Sequence, residues 1–194
     1  MKLTKSIAVF LTLSMLISLN ACMAKTSEQN TSTAKQTSEE EILLLSLESQ
    51  LLLEDWSSPE EISPDCFFQY YEALVSHGYV SKQEGESEIA RQVVEDILMR
   101  YFEVDPQLIR MGSCYNKENQ TYVVGGLENV LDYKIDQIEK VDGQTKIDYT
   151  LFYFEEFRQS GTLTVKMEDE YQYHFISHKI HEKGDVTHPS LQKS

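Results

Sequence analysis

The chain predicts an α+β domain, and three observations carry that prediction. The apolar period is helical in Phe67–Val75 and Ile89–Tyr101, changes to two from Cys114 onward, and at least four alternating runs follow one another with short turns between them. Helices first and consecutive strands afterwards read as N-terminal helices packed on a curved antiparallel meander of four or more strands. Both faces of the run Ile147–Phe154 look apolar, with Ile147, Tyr149, Leu151 and Tyr153 opposite Phe152 and Phe154. A sheet bent around its helices accounts for that.

The elements follow in order. Residues 42–56 are leucine-rich, but the leucines spread around most of a helical wheel instead of forming a stripe, so this helix is expected to pack on the domain, with a partner-binding helix as the alternative. Ser58-Pro59-Glu60-Glu61 has the form of a capping box, and Ser63-Pro64-Asp65 repeats the start signal. The second start opens an amphipathic helix with Phe67, Phe68, Tyr70, Tyr71, Leu74 and Val75 inward, ended by Gly78. Another helix is expected from about Glu86 to Phe102, then a short turn of helix at Asp105-Pro106. Tyr115 and Tyr122 flank a hairpin turn. The runs 130–141, 147–154, 161–167 and 171–181 are the strands, with Asp142-Gly143 as a hairpin turn between the first two.

Ahead of the domain lies an address. Lys2 and Lys5 precede an apolar run from Ile7 to Leu19, closed by Leu19-Asn20-Ala21-Cys22. Charge, short apolar core and a small residue before a cleavage point make a secretory signal peptide. The run is too short for a stable transmembrane helix, which takes about 20 residues. The closing tetrapeptide resembles the bacterial lipobox, although Asn20 is uncommon at its position. That resemblance implies a diacylglyceryl group on the Cys22 thiol, with Cys22 as the new N-terminus. Two or more acyl chains anchor stably where one does not.

The organisation expected is therefore a signal peptide at 1–21, a lipid-anchored disordered tether at 22–41, the leucine-rich helix at 42–56, one extracytoplasmic α+β domain at 57–183 and a polar tail at 184–194. The tether is rich in Ser, Thr, Gln and Lys and cannot bury enough apolar area to offset its ordering entropy. As a flexible coil it reaches roughly 25 Å.

Charge excludes one class of partner. The signal carries Lys2 and Lys5 and no acid, so its removal takes the formal net charge from −15 to −17. No basic stripe is present, which argues against nucleic acid.

The chemical motifs are sparse. An outward location permits a disulfide between Cys66 and Cys114, worth about 4 kcal/mol in the chain-entropy model. Both also sit beside apolar residues, where a free thiol acts as a small hydrophobe. His174, His178 and His181 fall on an alternating run, with His174 and His178 on one face about 13 Å apart. A zinc ion needs its ligands at about 2.1 Å, so no metal site and no cofactor is expected. Among the carboxylates Asp132, Asp136, Asp148, Glu155 and Glu156, a pocket would draw on Asp148 and Glu155 together with His174. Glu155-Glu156 also reads as a solvated turn. The 11 tyrosines could line a sugar or peptide platform, but core packing accounts for most of them.

Two resemblances complete the reading. The element order is similar to cystatin-like and NTF2-like folds. The lipobox, the tether and the phrases Trp56-Ser57-Ser58-Pro59, Tyr101-Phe102 before Asp105-Pro106, Tyr115-Asn116 with Thr121-Tyr122, and Ser160–Val165 through Phe175-Ile176-Ser177 resemble uncharacterised lipoproteins of Gram-positive, clostridia-type bacteria. That implies the outer face of the cell membrane and no activity. The expected function is a binding or interaction domain for an envelope protein, a peptide or a small solute. The alternative is an NTF2-like enzyme or pocket protein, and a third class is a domain that only spaces a complex.

Overall fold

A computed structural model describes residues 38–81, 87–126, 131–168 and 172–184. The segments expected as signal peptide, lipidated Cys22 and most of the tether lie outside the described residues, as does the expected tail beyond Gly184.

Helix α1 is Glu39–Glu48. Ser38 accepts from the Glu41 amide and Glu41 bonds back to Ser38, a complete capping box. Ser38–Glu41, read from sequence as the end of the tether, are thus the cap and first turn of a helix. Ile42, Leu43, Leu45 and Leu47 are all buried, which explains why no apolar stripe is visible. The helix stops well short of Trp56. Ser49 bonds back to Leu45, Gln50 turns left-handed at φ 62°, and the Leu51 amide reaches the Ser46 carbonyl. That is a Schellman end with glutamine in the place glycine usually takes.

Ser58 starts no α-helix and makes no side-chain cap bond. Pro59–Glu61 is one 3-10 turn, and the Glu61 carboxylate accepts from the amide and hydroxyl of Ser57 instead. Helix α2, Pro64–Ser76, forms as expected and buries Phe67, Phe68, Tyr70, Tyr71 and Leu74. The expected long helix 86–102 is shorter. Glu88–Ala90 forms strand β1, and α3 spans only Arg91–Leu98. The cause is non-local: β1 pairs with β3 (Thr121–Val123), which also pairs with β2 (Tyr115–Asn116). Helix α4, Pro106–Ile109, is capped by Asp105.

The meander is present: β4 (Leu131–Val141), β5 (Gln144–Tyr153), β6 (Glu156–Met167) and β7 (Tyr173–Lys183), all antiparallel in that order. Asp142 and Gly143 both have positive φ, as a type I′ hairpin turn requires. One continuous core joins α1 and α2 to the inner faces of β5, β6 and β7. Tyr70 sits edge-on to Phe175, and its hydroxyl bonds that of Tyr173. Only one face of β5 is core. Ile147, Tyr149 and Leu151 are buried, Phe152 is half-buried, and Phe154 is exposed in the turn.

Candidate functional site

Between α1 and the 3-10 turn, residues 51–57 run back to β7, and Trp56 is their fixed point. Its amide donates to the His178 carbonyl at 3.1 Å, and the His178 amide donates to the Trp56 carbonyl at 2.9 Å. The indole Nε1 donates to the Leu51 carbonyl at 2.9 Å. Its ring meets Phe175 edge-on at 6.2 Å.

His178 lies beneath, 1 % exposed. Its Nδ1 is 2.6 Å from the Glu54 carbonyl oxygen, which can only accept, so Nδ1 carries the proton. Burial keeps the ring neutral by lowering its pKa, and Nε2 is then an acceptor. Tyr149 donates to it at 2.6 Å. The Tyr149 oxygen accepts from Gln159 Nε2 at 3.1 Å, and the same amide group donates to the Leu52 carbonyl at 2.5 Å. The direction of every bond is set by the two carbonyls at its ends. Desolvation raises the Tyr149 phenol far above its usual range. Gly161 lets this tyrosine pass, since a Cβ there would stand 2.8 Å from the Tyr149 hydroxyl.

Two small spaces flank Trp56. One, of about 130 Å³, is lined by Leu53, Glu54, Trp56, Ile62 and Cys66. The other, of about 350 Å³, is lined by Asp55, Ser57, Glu61, Ser177, His178 and Lys179. The larger reaches the lower bound for small-molecule sites, roughly 300 Å³. Its carboxylates are engaged. Asp55 accepts from Lys179 Nζ at 2.8 Å and the Ile180 amide at 2.5 Å, and Lys179 holds its pKa below the usual value. The Ser57 amide does the same for Glu61. Hydroxyls, a lysine and held carboxylates suit a polar solute or a polar side chain. His178 has both nitrogens committed and offers no proton acceptor to the groove.

The pocket read from Asp148, Glu155 and His174 does not assemble. Asp148 sits mid-sheet on the outer face and accepts from Thr162. Glu155 is at the exposed β5–β6 turn. His174 pairs across to Lys166, which pairs to Gln144 at the opposite end of the sheet, and its Nδ1 faces Glu103 at 3.9 Å. Antiparallel register separates all three. Nor do His174 and His178 share a face. A bulge between Phe175 and Ser177 resets the alternation, so His178 turns inward with Tyr173 and Phe175 while His174 points away.

Cys66 and Cys114 are both free. Cys66 points along α2 into the smaller space beside Trp56, whereas Cys114 lies over the Asp65 and Glu72 side of the same helix. Burial pushes the Cys66 thiol up to about 11. Among the described residues no three His, Cys, Asp or Glu side chains gather as a metal site would need.

Sequence reasoning missed the Trp56–His178 clasp. The single tryptophan in a loop and a histidine among strand apolars were its only signals. Compared with family profiles, curated proteins and solved structures, the chain matches none of them.

Proposed function

We propose that this chain is a lipid-anchored protein on the outer face of a bacterial cell membrane, attached through Cys22. Its α+β domain is a binding or interaction module for an envelope protein, a peptide or a small solute. The observation that carries the anchor is the order Lys2, Lys5, the apolar run Ile7–Leu19 and Leu19-Asn20-Ala21-Cys22. Among the described residues no helix is long and apolar enough to cross a membrane.

Supporting the interaction half is an interior occupied by Phe67, Tyr71, Leu151 and their neighbours. The histidine, carboxylates and tyrosines read from sequence as pocket groups are dispersed or bonded to protein partners. Recognition therefore falls to the surface, and the groove over Trp56, Ser177 and Lys179 is its best-formed place.

The anchor is tested by Cys22→Ala in a Gram-positive host. The native chain is expected to sediment with membranes and leave them only in detergent, while the variant is released or keeps its signal. Unchanged retention at mature size removes the anchor. For the groove, amino acids and short peptides are titrated while Trp56 emission is followed. A saturable change is expected, and a flat response with every probe removes the groove as the binding place.

A further inference from the structure

The two margins of the four-stranded sheet are treated differently. Along β7 the outer backbone is engaged at three places: the Phe175 amide donates to the Tyr101 carbonyl, His178 pairs with Trp56, and the Ile180 amide donates to Asp55. Along β4, from Asp132 to Val141, no backbone group bonds anything except β5 among the described residues. Ile138 and Val141 are 42 % and 43 % exposed there. A long unpaired margin is a template for another strand.

The side chains of β4 say which strand. A bulge at Asp136 resets its alternation. Before it Tyr133 and Ile135, and after it Ile138 and Lys140, lie on the core side, opposite Leu151, Tyr149, Ile147 and Thr145 of β5. Lys134 before the bulge and Glu139 after it lie on the outer side.

We propose that β4 is a homodimer interface, in which a second copy pairs its own β4 antiparallel about a twofold axis between Asp136 and Gln137. In this register Ile135 opposes Ile138 of the second copy on the core side. Lys134 opposes Glu139 of the second copy on the outer side, and the symmetry makes each pair twice. The two bulges meet at the axis, so neither strand runs out of step with the other. Shifting the register by two residues sets Glu139 against Asp132 in one direction and against Asp136 in the other. Both are like-charge pairings, which are destabilising when directly opposed. A shift by one puts the isoleucines on opposite sides. Charges and bulges on an exposed margin guard against indiscriminate pairing. Of this register and its two-residue shifts, only this one sets Lys134 opposite Glu139. Lys134 is 68 % exposed, so its ion pair with Asp136 leaves the ammonium accessible to a second carboxylate.

The test is a charge swap on the full chain in mild detergent, with mass from light scattering after subtraction of the micelle. The native chain is expected to dimerise with rising concentration. Lys134→Glu and Glu139→Lys should each weaken the dimer by about tenfold, about 1.4 kcal/mol. The double variant, and equally a mixture of the two single variants, should recover it, because unlike charges then face each other again across the axis, in exchanged positions at both pairs of the double variant and at one pair of the mixed dimer. Recovery cannot come from a misfolded single variant, and circular dichroism of each single variant confirms its fold. A native chain that stays monomeric at 100-fold the concentration used for detection, taken as about 1 μM to about 100 μM, overturns the proposal. So does a dimer indifferent to all three substitutions. Neither result bears on the Cys22 anchor.

Discussion

His178 and Trp56 are bound to each other through their backbones in both directions, at 2.9 and 3.1 Å, while the His178 ring is fixed by Glu54 and Tyr149. One histidine thus ties the segment after α1 to the last strand of the sheet, 122 positions further along the chain. Its charge state becomes a condition of that closure. A protonated Nε2 would face the Tyr149 hydroxyl as a second donor, and that hydroxyl already accepts from Gln159.

Acid is expected to loosen this clasp. Burial lowers the folded pKa of His178 below its ordinary value of 6.5, against weaker opposing effects of Glu54 and Asp55. The unfolded chain therefore binds the extra proton first, and stability falls as pH drops from about 6.5 toward the folded value. Above that window the histidine contributes no pH dependence. Denaturant unfolding from pH 8 to 5 should show the loss, with Trp56 emission moving to the red on unfolding. Tyr149→Phe should cost about 1–3 kcal/mol at pH 7, because a buried acceptor loses its donor. A midpoint that is level across this range in the native chain counts against the clasp.

Gly161→Ala should destabilise by overpacking, about 1–3 kcal/mol. Its Cβ would meet the Lys179 carbonyl oxygen at 2.7 Å and the Tyr149 hydroxyl at 2.8 Å. The expected outcome is a lower melting temperature and a weaker pH dependence between 8 and 5, since Tyr149 is displaced from His178.

Arg110→Ala should cost about 3 kcal/mol. Arg110 grips Glu95 with two bonds of 2.7 Å, and the Glu95 side chain is only 6 % exposed. Without it a buried carboxylate keeps a single weak bond from Tyr122 at 3.3 Å and a distant Arg91 at 4.0 Å. Thermal unfolding of the variant measures the loss. A shift indistinguishable from native would mean that Arg91 takes over.

The two thiols should differ in reactivity. Cys66 is the more buried and has a pKa of about 11, raised first by desolvation and then by Glu54 and Asp65. Cys114 is raised by the same first cause but lies nearer the surface. Alkylation at pH 8, followed by mass spectrometry, should label Cys114 well before Cys66. A mass two units short in the native protein would instead reveal a disulfide.

Glu155→Gly should stabilise the chain by about 0.5–1 kcal/mol, because Phe154 and Glu155 both hold positive φ, at 47° and 66°, where a side chain is costly and glycine is not. A higher urea midpoint is expected. A fall would mean that the Glu155 side chain has a stabilising contact beyond the turn.

Much of the fold was legible in local pattern. The inward face of α2, the Asp142-Gly143 turn and the alternation of β5 each depend on residues within one turn or one strand of each other. The candidate site was not legible in the same way. Asp148, Glu155 and His174 share a chemistry, but their positions follow from register, which assigns them to the middle, the tip and the far end of the sheet. His178 looked like its neighbours because the inserted residue that turns it inward is defined only against β6.

The sequence by itself determined the helix Pro64–Ser76 and the run of alternating strands, because a period of 3.6 or of two is written in neighbouring side chains. Tertiary structure decided that Glu88–Ala90 is a strand and that His178 faces Trp56. Each outcome requires a partner far along the chain. The hydrogen bonds and burial that favour it arise only once that partner is in place, so no local pattern records them.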